Sequence, residues 1–270
     1  MKKFITVLLC VCLILSVSSC GESDQKKLIE EGKLYVGIEP EYPPMETKVD
    51  GQYTGIDVEF ILALGEKMNL EVEFVDLAWS AIFIALDGEQ IDIVCSSVSI
   101  TQKRIDEKKM MFSDPYLSNG IYIVTDKENT SIKTIEDLKG LVVAVQEDTT
   151  ADYACKKYLE ANPNAFKLQS LETVQSALMA LESGQVDALV ADSPVAMHFV
   201  MNNPEKFAVT SSQLTNEPIA IAIRYGNDDL QKEINEAIKA LQEDGTLSKI
   251  SLKYLGEDCT QNISTELVLY

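Results

Sequence analysis

Ser96-Ser97-Val98-Ser99-Ile100-Thr101-Gln102-Lys103-Arg104 follows the apolar run Ile91-Asp92-Ile93-Val94-Cys95 and leads towards Phe112-Ser113-Asp114-Pro115-Tyr116. The apolar run has the length and β-branched content of a buried strand. The chain therefore passes from a strand into three serine hydroxyls and then a fixed cation. Arginine offers a planar, always-charged fork that grips a carboxylate through two parallel bonds. Serine hydroxyls and open N–H groups at a strand's carboxyl end can complete such a grip. The stretch reads as a seat for a small carboxylate-bearing ligand at the carboxyl edge of a sheet. A plainer reading is a strand, a hydroxyl-rich helix start and a surface arginine, and spacing by itself leaves both open.

On either side of this stretch, strand-like and helix-like runs alternate. Residues 34–38 read as a strand, 56–68 as a helix with Ile61, Leu64 and Met68 near one face, and 72–77 as a second strand. A short helix over 80–86 precedes the strand 91–95. A second series has strands at 121–124 and 141–145, then a helix starting at Thr149 or Thr150, whose hydroxyls suit a cap. A helix over 174–181 and a buried strand over 187–192, ending in the Asp192 carboxylate, follow. Another apolar strand covers 219–223, and amphipathic helices cover 230–241 and 247–255. The tail 256–270 has no clear period. The alternation predicts an α/β fold with mainly parallel sheets covered on both faces.

The 270 residues suffice for two modest domains or one large one. A hydrophobic share of 46% and a charged share of 24% are ordinary for a folded soluble protein. The formal charge of −20 argues against nucleic acid as a partner, because phosphate binding needs clustered Lys and Arg. His198 is the sole histidine and takes no role; with scattered cysteines, neither a metal site nor another cofactor is expected.

The first 20 residues differ from the rest. Lys2 and Lys3 precede a nearly continuous apolar run to Val17, and small residues end it, which describes an export signal over 1–19. The run is short for a spanning helix. Val17-Ser18-Ser19-Cys20 also resembles the bacterial lipobox, so Cys20 is expected to carry a lipid, with 20–27 as the lipidated residue and tether. Removing 1–19 leaves 43 acids against 21 bases, or −22, and the cysteines Cys20, Cys95, Cys155 and Cys259. The scattered Cys95, Cys155 and Cys259 do not form a disulfide framework, and whether any two pair stays open.

Several separated segments together resemble the bacterial extracellular solute-binding proteins of family 3, polar amino-acid receptors of ABC importers. They include Val36-Gly37-Ile38-Glu39-Pro40-Glu41-Tyr42-Pro43-Pro44-Met45-Glu46, Gly55-Ile56-Asp57-Val58, the stretch from Ser96 to Arg104, and Phe112-Ser113-Asp114-Pro115-Tyr116. Glu136-Asp137-Leu138-Lys139-Gly140, Asp148-Thr149-Thr150, Val186-Asp187-Ala188, Ala191-Asp192-Ser193 and Asp244-Gly245-Thr246-Leu247 continue the series. The resemblance runs from about residue 33 to 256.

It implies a two-lobed periplasmic-binding-protein fold of type II. Lobe one would be 28–117 plus 218–256, lobe two 118–217, and 257–270 a C-terminal tail. The lobes would close on a ligand about two hinge strands. The resemblance puts the α-carboxylate on Arg104, helped by backbone N–H groups of Ser99 and Thr150, the latter at a helix start with Thr149. It puts the α-ammonium on Asp192 with Ser97 and the Ser99 hydroxyl, and Ser96 in the same wall. Tyr42 and Trp79 would sandwich the side chain, which Glu39 would read. Three positions depart from the family pattern: Met45 replaces a usual Phe, Asp148 a usual Gly, and Ala151 a position that can be polar.

The implied function is non-enzymatic: extracytoplasmic capture of a polar amino acid, arginine or lysine favoured, for an ABC permease. The protein would be a monomer held to the membrane by its lipid. Alternatives are a receptor for cystine, histidine or glutamine, a cyclohexadienyl (prephenate or arogenate) dehydratase on the same fold, and the sensor domain of a signalling receptor.

Overall fold

In the computed structural model, which describes residues 28–264 and 267, the chain builds one five-stranded sheet, then a second, and returns to the first. The expected signal, Cys20 and the tether lie outside the described residues. The chain opens with β1 (Lys33–Ile38), β2 (Glu41–Tyr42), β3 (Glu46–Val49), β4 (Gln52–Thr54), α1 (Ile56–Met68) and β5 (Glu71–Asp76). α2 (Trp79–Asp87), β6 (Ile93–Val94), α3 (Gln102–Asp106) and β7 (Met110–Phe112) follow. β8 (Leu117–Asn119) leads into β9 (Ile121–Asp126), β10 (Val142–Gln146), α4 (Thr150–Ala161), β11 (Lys167–Leu171) and α5 (Val174–Glu182). Next come β12 (Ala188–Asp192), α6 (Ser193–Asn202) and β13 (Phe207–Val209). The chain returns through β14 (Glu217–Ile219) to β15 (Ala222–Arg224), α7 (Asp228–Glu243) and α8 (Thr246–Leu255).

Each sheet is built around a parallel trio. The first has the order β5-β1-β6-β15-β7 and the second β11-β10-β12-β9-β13. β1 pairs in parallel with β5 and β6, and β10 with β11 and β12. The expectation of parallel strands holds for these trios, and antiparallel strands extend each of them, so the sheets are mixed. The antiparallel strands are those next to the crossings between sheets, where the chain arrives from the other side.

Apolar residues cover both faces, as continuous apolar strands require. Val143 and Val145 of β10 pack with Ile121, Ile123, Val190 and Cys155 of α4. Ala144, Leu189 and Ala191 face the other way, onto α5 and α6. In the first sheet, Leu34, Val36 and Ile38 are fully buried, with Phe60, Ile61 and Leu64 of α1 and Ile234 and Leu241 of α7 in the same core. Each such side chain stabilises the fold by about 1.5–3 kcal/mol. Gly37 matters here: a Cβ on it would lie 2.5 Å from Ile91 Cδ1 and 3.1 Å from Ile82 Cγ1, so a larger residue would push these core side chains aside.

The expected strand over 219–223 is two strands. Ile219 pairs with Leu117 of β8, whereas Ala222 pairs with Val94 and Phe112, and the break falls where the chain changes partners. β8 and β14 pair antiparallel and carry the chain between the two sheets. Behind them, Ser118 N–H donates to Cys259 O at 2.8 Å, so the start of the tail packs against a crossing strand. Cys95, Cys155 and Cys259 are free thiols.

Candidate functional site

The ends of the parallel strands meet between the sheets. β1 ends one residue before Glu39, β6 runs into Ser96, β10 ends at Gln146, and β12 ends at Asp192. In an α/β sheet the carboxyl ends of parallel strands are where ligands bind. A narrow cavity lies there. It brings together all the expected binding residues: Glu39, Tyr42, Trp79, Ser96, Ser97, Ser99, Arg104, Thr149, Thr150 and Asp192. Gln146 completes the wall.

Local structure aims each of them. Thr101 caps α3 by accepting the Arg104 N–H at 3.2 Å, which fixes the arginine in the first turn. Arg104 Nη1 donates to Ser99 O at 2.8 Å, and the guanidinium lies 5.6 Å from the Trp79 ring centre and 5.3 Å from that of Phe83. Thr149 caps α4, accepting from Asp152 N–H and donating to Gln146 O at 2.8 Å. Its hydroxyl is thus engaged within the protein, and Thr150 stands at the first helical position, where N–H groups have no partner inside the helix. Ser96 is engaged likewise: its hydroxyl accepts from Glu39 N–H at 3.2 Å and donates to Glu46.

Three contacts cross the cavity. Tyr42 Oη donates to Asp192 Oδ2 at 2.7 Å. Gln146 Nε2 donates to both oxygens of Glu39, at 3.0 and 2.9 Å. Trp79 Nε1 donates to Asp148 O at 3.3 Å. Two buried acceptors lining the cavity, Asp192 Oδ1 and Gln146 Oε1, have no hydrogen-bond partner among the described residues.

A family model for bacterial extracellular solute-binding proteins, family 3, matches residues 34–257. The chain belongs to this family. The L-cystine-binding protein TcyJ of Escherichia coli (strain K12) is 33% identical over 93% of this chain and 94% of its own. A solved ancestral arginine-binding protein bound to arginine is 36% identical, with a TM-score of 0.78, over 83% of this chain and 99% of its own. The ancestral amino acid-binding protein AncCDT-1, a precursor of cyclohexadienyl dehydratase, is 37% identical, with a TM-score of 0.76, over 83% of this chain and 95% of its own. The fold is thus that of the type II periplasmic binding proteins, and the relatives named here bind amino acids.

Within this family member, burial dominates the electrostatics. It pushes the Glu39 carboxyl up to about 7, with Gln146 pulling the other way and the carboxylates of Glu41 and Glu172 adding to the rise. It pushes Asp192 up to about 7 as well, helped by the charge of Glu217 and opposed by Tyr42, Asn119 and Arg104. It lowers the Arg104 guanidinium, opposed by Tyr153, Glu217 and Asp192. Arginine keeps its proton in any case.

Two of the three departures from the family pattern, Asp148 and Met45, find physical accounts. Asp148 has a left-handed φ of 57°, a conformation that glycine adopts freely and aspartate tolerates. Its side chain is exposed, so the charge is solvated. Met45 is fully buried and fills core space. Sequence reading missed Gln146, which lines the cavity, and Glu217, which acts on Asp192 and Arg104 through its charge without lining it. Gln146 stands one residue beyond the expected strand 141–145, and a polar residue at a parallel strand's carboxyl end was the available signal. Glu217, fully buried on a crossing strand, carries no local pattern that marks it.

Proposed function

We propose that this chain is an extracytoplasmic receptor that takes up a polar amino acid between its two lobes and delivers it to an ABC permease, with arginine or lysine preferred. The preference rests on one observation: the Glu39 carboxylate and the unpartnered Gln146 Oε1 line the same cavity. The charges acting most on Glu39 are other carboxylates, Glu41 and Glu172. A guanidinium or ammonium supplies the donors and the charge that this site lacks, and Tyr42 and Trp79 offer it ring faces. Arg104, with the N–H groups of Ser99 and Thr150, would hold the α-carboxylate. Asp192 Oδ1, with Ser97 and the Ser99 hydroxyl, would hold the α-ammonium. Cystine is the main rival, because its far end carries an ammonium as well as a carboxylate.

Residues 28–117 plus 218–256 form lobe one in this reading, 118–217 lobe two, and β8 with β14 the hinge. A zwitterion that bridges Arg104 on one lobe and Asp192 on the other binds the closed form better, as a ligand-driven switch requires. The export signal 1–19 and the lipidated Cys20, read from sequence, would hold a monomer at the outer side of the cell membrane.

A second reading, prephenate or arogenate dehydration, draws on Glu39, which at about 7 retains the proton a general acid needs. It ranks lower because Arg104 and Asp192 both line the cavity and suit a zwitterion. A thermal-shift screen of residues 21–270 against the 20 amino acids, cystine and ornithine separates the readings. A ligand at 100 times its Kd adds ~2.7 kcal/mol of stability. Shifts with arginine or lysine, lost in Arg104→Ala and Asp192→Ala, are expected. No shift with any amino acid, together with turnover of prephenate or arogenate, would reverse the ranking.

A further inference from the structure

Beneath Ser96 and Ser97 lie two fully buried carboxyl groups, Glu46 on β3 and Asp57 in the first turn of α1. Asp57 receives three donors, the weakest being the Ser97 hydroxyl, 3.4 Å from Oδ2. The Ser97 N–H reaches its Oδ2 at 2.7 Å, and the Tyr116 hydroxyl reaches its Oδ1 at 2.7 Å. Tyr116 itself accepts from the Cys95 thiol at 3.6 Å, so the phenolic proton is committed to Asp57. Asp57 is therefore set up as an anion. Glu46 differs. Its Oε1 accepts from the Ser96 hydroxyl, and its Oε2 has no donor among the described residues.

The groups acting most strongly on this pair are Ser96, Ser97, Tyr116 and Glu39, with Tyr42 and Cys95 feeling its charge; no Lys or Arg is among them. Two bare carboxylates in a dry site without a cation repel each other and pay twice for lost hydration. One proton removes that conflict. Placed on Glu46, it gives the unpartnered Oε2 a proton to donate to Asp57, the side chain it interacts with by hydrogen bonding. Burial lifts both carboxyls above their ordinary range, and the Asp57 charge lifts Glu46 further.

We propose that Glu46 and Asp57 share a single proton, which Glu46 donates to Asp57, and that the pair holds the Ser96–Ser97 corner in place under the ligand. Ser97 has a left-handed φ of 48°, which residues other than glycine seldom adopt. The Asp57 anion secures it through the Ser97 N–H. Glu46 secures the neighbouring residue: Glu39 N–H donates to Ser96 Oγ at 3.2 Å, and Ser96 donates onward to Glu46. One proton thus orders both the ammonium seat at Ser97 and the backbone of Glu39. Glu46 and Asp57 are positioning residues, acting through Ser96 and Ser97 without lining the cavity.

Infrared spectroscopy at about pH 9 tests the proton, because Glu39 and Asp192, at about 7, are then ionised. The carbonyl-stretch band of a protonated carboxyl is expected in the native protein, lost in Glu46→Gln and kept in Glu39→Gln and Asp192→Asn. Absence of the band from the native protein, or its survival in Glu46→Gln, overturns the shared proton. Only the positioning role depends on the proposed amino-acid binding, and calorimetry with L-arginine reads it. Glu46→Gln keeps a neutral donor and is expected to bind within about threefold of native, whereas Glu46→Ala weakens binding by about tenfold or more. A Glu46→Gln protein weakened more than tenfold would show that Glu46 acts as a charge and overturns the proposal. A Glu46→Ala protein that binds like native overturns the positioning role. The infrared result stands whether or not arginine binds.

Discussion

Glu39 is 5% exposed, yet its side-chain donor in the cavity is the Gln146 amide, and burial holds its carboxyl at about 7. A cationic side chain there makes a charge-assisted contact, so Glu39→Ala is expected to weaken arginine binding by about 1.5–3 kcal/mol. Calorimetry that finds arginine affinity unchanged would remove the case for a basic ligand. Asp192 leads to a second expectation. Its ordinary pKa is 3.8 and its folded value is about 7. Between these values the folded protein keeps a proton that the unfolded chain has released. Unliganded stability therefore falls as pH rises through that window and levels off above it. A ligand ammonium needs the ionised form, so binding below pH 7 must expel the proton. Affinity for glutamine should drop about tenfold per unit from pH 7 to pH 5. Arginine must also ionise Glu39, so its slope should approach about a hundredfold per unit. Equal slopes for the two ligands, measured as Kd at four pH values, would show that Glu39 does not read the side chain.

Among the elements, legibility followed apolar density. β1, β10, β12 and α1 carry continuous or periodic apolar residues, and their expected bounds fall within two residues of those observed. β2, β3, β4 and β11 are short or half-exposed, with sequences such as Lys-Leu-Gln-Ser-Leu that give neither period, and they passed unread. Of the proposed site, the residues by themselves pointed to the Ser96–Arg104 stretch, which follows a readable strand, and the family resemblance supplied the others. Gln146 was not legible, since what makes it part of the cavity wall is Glu39, a partner distant in sequence. Gly55 shows how an element is anchored by one residue. Its φ is 135°, and a Cβ on it would lie 2.1 Å from Met45 O. Just beyond it, Ile56 N–H donates to Pro44 O at 3.1 Å and Asp57 N–H to Met45 O at 2.9 Å, tying α1 to the segment that carries Glu46. Gly55→Ala should break this junction at a cost of about 3 kcal/mol. For a chain this size that lowers Tm by about 6–12 °C. A calorimetric Tm equal to native would mean that the 44–46 segment yields without penalty.

At the scale of the whole molecule, the two lobes touch through contacts of two kinds. Tyr42 with Asp192, and Glu39 with Gln146, involve groups that the proposed ligand engages. Lys103 lies outside the cavity and places its Nζ 3.9 Å from the Tyr153 ring centre, joining α3 of one lobe to α4 of the other. A ligand leaves that contact untouched, so its energy bears only on how the lobes are held together. For an exposed cation over an aromatic ring this is about 0.5–1 kcal/mol. Lys103→Ala should therefore weaken binding about two- to fivefold, because a ligand's apparent affinity scales with the population of the form that binds it. The loss should appear mainly as faster release, since opening precedes escape. Lys103 is next to Arg104, so its charge also acts on the ligand directly. That effect has the opposite sign for arginine, whose side chain a nearby lysine repels. Stopped-flow release of arginine and glutamine from Lys103→Ala separates the two. Faster release of both ligands by a similar factor indicates an interlobe latch. Slower release of arginine alone would mean that Lys103 acts through its field and that the lobes close without it.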